Sequence, residues 1–370
     1  WVMGRPRVRD DIALMDGYHS PQLDVAVRLN TNEAPEPPPE AFDRELAAAV
    51  SSIDWNRYPD RSALELREGI AVLEAGSPAR KMGSPKRFGS ANVLVANGSN
   101  EVLQAVCLAY GGAGRTAVTF EPTYALHSHI ARVCGTAVVS GDRDEQFGLD
   151  PAVAQELISR ARPSVTFLCS PNNPTGRVES PGTVEAVLEM VEAVDGLLVV
   201  DEAYGQFAPH SALDLVSDDR SLVVTRTFSK TWSAAALRLG YLLGPTWLVG
   251  ELEKVLLPYH LDALKQAAGV LALGHLDEME ARVAHLVEER GRVAAGLEEL
   301  DVTQWPSGAN FILLRPRSHP GDEVWQALLE RGVLVRNCAS WPGLDECLRV
   351  TIGTRAENDT FLDALADVLA

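Results

Sequence analysis

The sequence predicts an α/β protein. A mostly parallel sheet of seven strands should carry helices on both faces and join a smaller α+β unit. Three observations carry this prediction. Between residues 91 and 245, short apolar runs alternate with segments of helical spacing. The runs are continuously apolar, as in strands buried on both faces. After residue 245 long amphipathic stretches replace them, followed by a few brief apolar runs.

In chain order, APEPPP (34–39) cannot be helix interior or central strand, because proline fixes φ and lacks the N–H. It reads as an extended connector behind an arm, residues 1–33. Residues 76–90, GSPARKMGSPKRFGS, are basic and rich in Gly, Ser and Pro, which predicts a surface loop. The seven strands are VLVAN (93–97), TAVTFE (116–121), TAVVS (136–140), SVTFLCS (164–170), LLVVDEA (197–203), LVVTRTFS (222–229) and LRLGYLLG (237–244). Helical spacing covers 100–110, 124–133, 183–194 and much of 247–300. NFILL (310–314), GVLVR (332–336) and CLRVTI (347–352) read as strands of the smaller unit, with the arm completing it. The expected division is an arm over 1–41 joined to the small unit, a large unit over 42–250 and a small unit over 251–370.

Composition narrows the function. The 370 residues carry 33 basic and 51 acidic side chains, a net charge of −18. A field of that sign repels nucleic acid and anionic lipid, so neither is an expected partner. No apolar run approaches the ~18 residues that cross a bilayer. The stretch WVMGRPRVRDD has no apolar core, so no secretory leader is expected there. The five cysteines, 107, 134, 169, 338 and 347, form no CxxC. They fit a reduced, cytoplasmic protein without a metal site. No GxGxxG follows the first strand, which argues against a dinucleotide-binding dehydrogenase.

In an open parallel sheet, ligands sit beyond the carboxyl ends of the strands, and there the polar residues interrupt. Gly98-Ser99-Asn100 opens a helix after VLVAN, where free N–H groups favour a phosphate or a plain cap. Asn172 and Asn173 stand between Pro171 and Pro174 in a rigid loop. Asp201 ends a fully apolar strand, so it needs a cation or strong donors. A metal, a pyridinium or a structural ion pair would each satisfy it. Ser229-Lys230 follows another such strand, where a desolvated amine becomes a nucleophile. Arg238 opens the next strand. Pyridoxal phosphate uses all of these groups: Lys230 as the Schiff-base amine, Asp201 on the pyridine nitrogen, the cradle and Arg238 on the phosphate.

The motifs SPNNPTG, DEAYGQF and TFSKTWSAAALRLG resemble those of the fold-type-I pyridoxal-phosphate aminotransferases. RLNTNEAP, NRYPD, NGSNEVLQ, EPTY, GANFILLRP and LRVTIGTRAEN are similar to the histidinol-phosphate branch of that family. The resemblance runs over about 12–369. It implies that Lys230 carries the cofactor and moves the proton, and that Asn173 and Tyr204 bond its 3′-oxygen. It implies that Tyr124 stacks on the ring. Ser99, Asn100, Thr227, Ser229 and Arg238 would meet the phosphate, with Tyr58 reaching that of the neighbouring subunit in a homodimer. Tyr18, Asn32, Arg336 and Arg349 would hold the anionic end of the substrate. Asn100 stands where the family commonly has Asp, and NEAPEPPP replaces its NENP-type arm. The implied reaction moves an amino group from L-histidinol phosphate to 2-oxoglutarate, in histidine biosynthesis. Aromatic amino-acid transamination and decarboxylation of a phosphorylated amino acid such as threonine phosphate stay open as alternatives.

Overall fold

The computed structural model describes residues 6–17, 23–76 and 88–370. Tyr18 and residues 77–87, most of the basic loop expected at 76–90, lie outside the described residues. The chain begins with a turn of helix α1 (Asp10–Ala13), strand β1 (Val27–Leu29) and helices α2 (Glu40–Ser51) and α3 (Leu64–Gly76). There follow β2 (Val93–Ala96), α4 (Ser99–Tyr110), β3 (Thr116–Glu121), α5 (Leu126–Val133), β4 (Ala137–Asp142) and α6 (Pro151–Ala161). Next come β5 (Val165–Cys169), α7 (Pro181–Glu192), β6 (Leu197–Asp201), β7 (Leu222–Thr227) and β8 (Gly240–Leu243). Helices α8 (Thr246–Leu252), α9 (Ala263–Leu273) and α10 (Leu276–Glu298) lead to β9 (Val302–Gln304) and β10 (Phe311–Pro316). Helix α11 (Gly321–Glu330), β11 (Val333–Asn337), β12 (Leu348–Thr351) and α12 (Arg355–Leu369) complete the chain.

Among the described residues, seven strands form one sheet in the order β2-β8-β7-β6-β5-β3-β4. Only β8 runs antiparallel, to both β2 and β7. β5, β6 and β7 are buried at every residue, which is why they read as unbroken apolar runs. Alternation along each strand sends Leu197 and Val199 of β6 toward α4, α5 and α8, in one core with Val102, Ile130 and Leu248. Leu198 and Val200 point the other way, into a core with Ile70, Leu157, Val187 and Ala268. Helices therefore cover both faces, as the expected α/β class requires.

Several elements differ from the sequence expectation, and two show why. The last strand begins at Gly240, not at 237, and Arg238 does not open it. Residues 235–237 form a 3-10 turn and Arg238 has a left-handed backbone, φ 53°, which a strand cannot include. Helix α6 was not foreseen, although Asp150 caps it by accepting from the Ala152 N–H at 2.8 Å and Pro151 fills its first position.

A second, five-stranded sheet has the order β1-β11-β12-β10-β9. β1 joins it in parallel to β11, pairing Val27 with Val333. Helix α10 touches both cores: Met279 packs with the large sheet, Leu286 and Val293 with the small one. No helix among the described residues is long and apolar enough to cross a membrane.

Candidate active site

A cavity of about 380 Å³ lies beyond the carboxyl ends of β5, β6 and β7, between the large sheet and the arm. Its position follows from topology, since parallel strands end there together. The backbone at these ends delivers polar groups to a region that the strands themselves keep apolar.

β6 delivers Asp201, 2 % exposed. The alternation that sends Val199 toward α5 sends Asp201 there too, and His127 of α5 meets it, Nε2 to Oδ2 at 2.9 Å. An ionised carboxylate only accepts, so Nε2 carries the hydrogen. The imidazole is held flat on Phe167, with ring centres 4.9 Å apart and planes 5° apart. The other carboxylate oxygen accepts from the Ala203 N–H at 3.0 Å. Sequence reading missed His127; the signal was its position three residues after Tyr124, on the face of α5 that meets the sheet. Glu202 takes the opposite face, where it and Glu74 clasp buried Arg226 at 2.7 and 2.8 Å, away from the cavity.

Lys230 stands three residues beyond β7. Its Nζ donates to the Thr31 carbonyl at 3.0 Å, a contact with the arm. Burial, then Arg349, push its amine down to about 8 from an ordinary 10.5, against an upward pull from Glu33. At pH 7 about a tenth is therefore unprotonated and able to bond a carbonyl carbon or accept a proton. Tyr204, beyond β6, accepts from the Asn32 side-chain N–H at 2.9 Å. Burial pushes its phenol up to about 12, so it stays a proton donor.

The wall near α4 forms a cradle that could hold a phosphate. Gly98 has φ +79°, and a Cβ there would lie 2.8 Å from Arg238 Nη2. A Cβ on Gly240 would lie 2.3 Å from the Ser99 nitrogen. Glycine at 240 lets the two backbones approach so closely, and glycine at 98 leaves room for the guanidinium. The cradle collects the start of the 12-residue helix α4, the Ser229 hydroxyl and the Arg238 guanidinium, whose Nη1 donates to Ser229 at 3.3 Å. Thr227 donates to Ser229 at 3.0 Å, which fixes that hydroxyl. Tyr124, whose hydroxyl donates to Asn100 at 3.2 Å, flanks the cavity.

The remaining wall comes from the small sheet. β11 and β12 are antiparallel neighbours, and Arg336 and Arg349 are direct register partners. Partners across a strand pair project to one face, so both guanidinium groups reach the same cavity. Arg349 is buried, donates to Asn173 Oδ1, and donates to the Asn30 carbonyl at 2.9 Å. Asn32 also lines the cavity, in a left-handed backbone at φ 55°.

Tyr58 does not reach this cavity. It is 80 % exposed and stacks on Tyr259, centres 4.4 Å apart. The other expected site residues within the described chain all line it, and Tyr18 lies outside the described residues.

The residue set fits pyridoxal phosphate on structural grounds: a cradle that any Cβ would fill, an amine of lowered pKa, and a buried carboxylate with accepting capacity left. The sequence model of the family described as aminotransferase class I and II matches residues 24–365. Histidinol-phosphate aminotransferase from Streptomyces avermitilis is 44 % identical over 365 residues, covering 98 % of this chain and 96 % of that protein. The protein of the same name from Frankia casuarinae is 43 % identical over 373 residues, covering 98 % and 90 %. Among solved structures, histidinol-phosphate aminotransferase from Sinorhizobium meliloti in complex with pyridoxal-5′-phosphate has a TM-score of 0.85. Its sequence identity is 21 %, with 98 % and 97 % of the chains covered, so this likeness concerns the fold. From the arm that meets Lys230 to the strand that carries Arg349, the chain belongs to the class I and II aminotransferases.

Proposed function

We propose that the chain transfers the amino group of L-histidinol phosphate to 2-oxoglutarate, using pyridoxal phosphate held in this cavity. The curated relatives that carry this name are the first support. The observation that carries the reading is the pairing of Arg336 with Arg349 across β11 and β12. One donor ends in a phosphate; 2-oxoglutarate and the glutamate formed from it end in carboxylates. Guanidinium groups offer a planar fork to either anion.

The residues divide the work as follows. Lys230 would bond the cofactor; Asp201, held from behind by His127, would face the pyridine nitrogen; Tyr204 and Asn173 would bond the 3′-oxygen. Ser99, Asn100, Thr227, Ser229 and Arg238 would hold the phosphate, with Tyr124 over the ring. When bound, the cofactor supplies a protonated ring that takes up the electron pair left when the donor's α-proton departs. Asp201 keeps a negative charge where that ring proton must stay. Lys230 Nζ, directed by the Thr31 carbonyl, would take up the α-proton and hold it within the cavity for its return. Asn32 and, from the sequence, Tyr18 would complete the substrate's anion site with the two arginines.

The test is a panel of half-reactions. Histidinol phosphate should be used with a clearly higher kcat/KM than phenylalanine, tyrosine or threonine phosphate. Arg349→Ala should weaken both half-reactions by about ten- to several-hundred-fold, at ~1.5–3 kcal/mol per charge-assisted contact. Arg336→Ala should hurt histidinol phosphate more than glutamate, and Arg→Lys should restore neither in full. A clear preference for phenylalanine would overturn the donor and leave the cofactor site intact. Carbon dioxide release without glutamate formation would favour the decarboxylase alternative.

We further propose a cytoplasmic homodimer in which Tyr58 serves the neighbouring site. Tyr58 precedes Pro59, which keeps its backbone extended. Trp55, Tyr58 and Leu257, 71 %, 80 % and 76 % exposed, and the Tyr58–Tyr259 stack give an apolar surface for a second copy. Mixing inactive Lys230→Ala with impaired Tyr58→Phe should restore activity after subunit exchange; exchange without recovery would make each subunit self-contained. We take residues 42–250 as the cofactor unit and 251–370 with the arm 1–41 as the small unit, supported for the arm by the β1–β11 pairing.

A further inference from the structure

We propose that Glu33 reads the donor's ring, accepting a hydrogen bond from an N–H heterocycle. This inference rests on the donor proposed above and names the group that would recognise its imidazole. Residues 30–32 of the arm each bond into the cavity. Asn30 accepts from Arg349, Thr31 accepts from Lys230, and Asn32 donates to Tyr204. Glu33 comes next and lines the same cavity at its lip.

The charges of the lining leave one function open. Among the described residues, its cations are Lys230, Arg238, Arg336 and Arg349, and its carboxylates are Asp201 and Glu33. The arginines suit two anions, the cofactor phosphate and the donor phosphate. Asp201 is buried and already accepts from His127 and the Ala203 N–H. The donor's imidazole N–H then still needs an acceptor. Glu33 is exposed, and its Oε2 accepts from the Thr31 hydroxyl at 2.9 Å, which orients the carboxylate. Each carboxylate oxygen has further accepting capacity. Trp341 gives the same cavity a flat wall for a ring, beside Tyr124, which would cover the cofactor. Trp341 is fixed by its Nε1–H to the Thr123 carbonyl at 2.9 Å and lies under Arg336 at 5.1 Å. A phenyl ring would meet that wall equally well and offer Glu33 nothing. A site that expects a hydrogen bond discriminates against a ligand that lacks the donor.

The test compares L-histidinol phosphate with L-phenylalaninol phosphate, which keeps the amine and the phosphate but has no ring N–H. In the holoenzyme, Glu33→Ala should lower the ratio of their kcat/KM values by about tenfold or more, since one hydrogen bond to a charged group is lost. The loss should fall on KM and on the dissociation constant read from the cofactor absorbance. Glu33→Asp should recover part of it. An unchanged ratio overturns the inference, whether both donors weaken equally or neither does. An equal loss accompanied by a shifted pH midpoint of the cofactor absorbance would assign Glu33 to Lys230 instead. A wild-type enzyme that does not use L-histidinol phosphate overturns the donor reading and this one together. Normal use by the wild type with an unchanged ratio in the variant overturns this inference alone.

Discussion

Lys230→Ala should abolish turnover yet leave the protein able to bind pyridoxal phosphate. The cradle of Ser99, Ser229 and Arg238 is untouched by the change, whereas the only amine lining the cavity among the described residues is lost. The wild type should be yellow when loaded. The variant should bind the cofactor reversibly, with a spectrum of the free aldehyde. The wild-type chain, stripped and reloaded, should capture added cofactor faster as pH rises, with a midpoint near 8. The sign follows from the lowered amine pKa: below about 8 most Lys230 carries a proton and cannot attack, and above it most does not. A midpoint near 10 would mean that the cavity does not desolvate the amine. A wild type that stays colourless with added cofactor would remove the cofactor from the account.

Asp201→Asn should lower the rate of amino transfer a hundredfold or more. The substitution preserves shape and can keep one contact with His127. It removes the charge that, in the proposed mechanism, would hold a proton on the pyridine nitrogen. Removing one charged partner from a buried pair costs about 3–5 kcal/mol, which at 1.36 kcal/mol per factor of ten exceeds a hundredfold. Pre-steady-state rates of the first half-reaction measure the effect without interference from product release. A near-normal rate would make Asp201 a structural residue that only anchors His127.

Much of the fold was legible because its strands are short, continuously apolar and bounded by turn residues. β5, β6 and β7 could hardly be read otherwise, since every side chain in them is buried. Helices α2, α3 and α6 were less visible, although Asp150 before α6 was available as a cap signal. β9, three residues long, carries too little pattern to stand out from a loop. The start of β8 was misread because LRLG continues the apolar texture through a turn whose left-handed residue is an arginine.

The site divides along a similar line. Residues whose type is unusual for their place stood out: a carboxylate and an amine at the ends of apolar strands, two asparagines among prolines. The Arg336–Arg349 register could only be conditional until β11 and β12 were known to be neighbours. His127 looked like an ordinary helix residue, because its partner is 74 positions away in sequence. The Thr31 carbonyl that directs Lys230 left no trace at all, as backbone groups are the same in every residue. Glu33 has no sequence signal of its own, since a carboxylate on an extended arm is ordinary.

The most direct test of the central claim is a single-turnover absorbance measurement on the loaded enzyme with L-histidinol phosphate and no acceptor. The account predicts loss of the yellow colour, release of one equivalent of imidazole acetol phosphate per site, and return of the colour when 2-oxoglutarate is added. Retention of the colour with L-histidinol phosphate, under conditions where L-phenylalanine discharges it, would contradict the account.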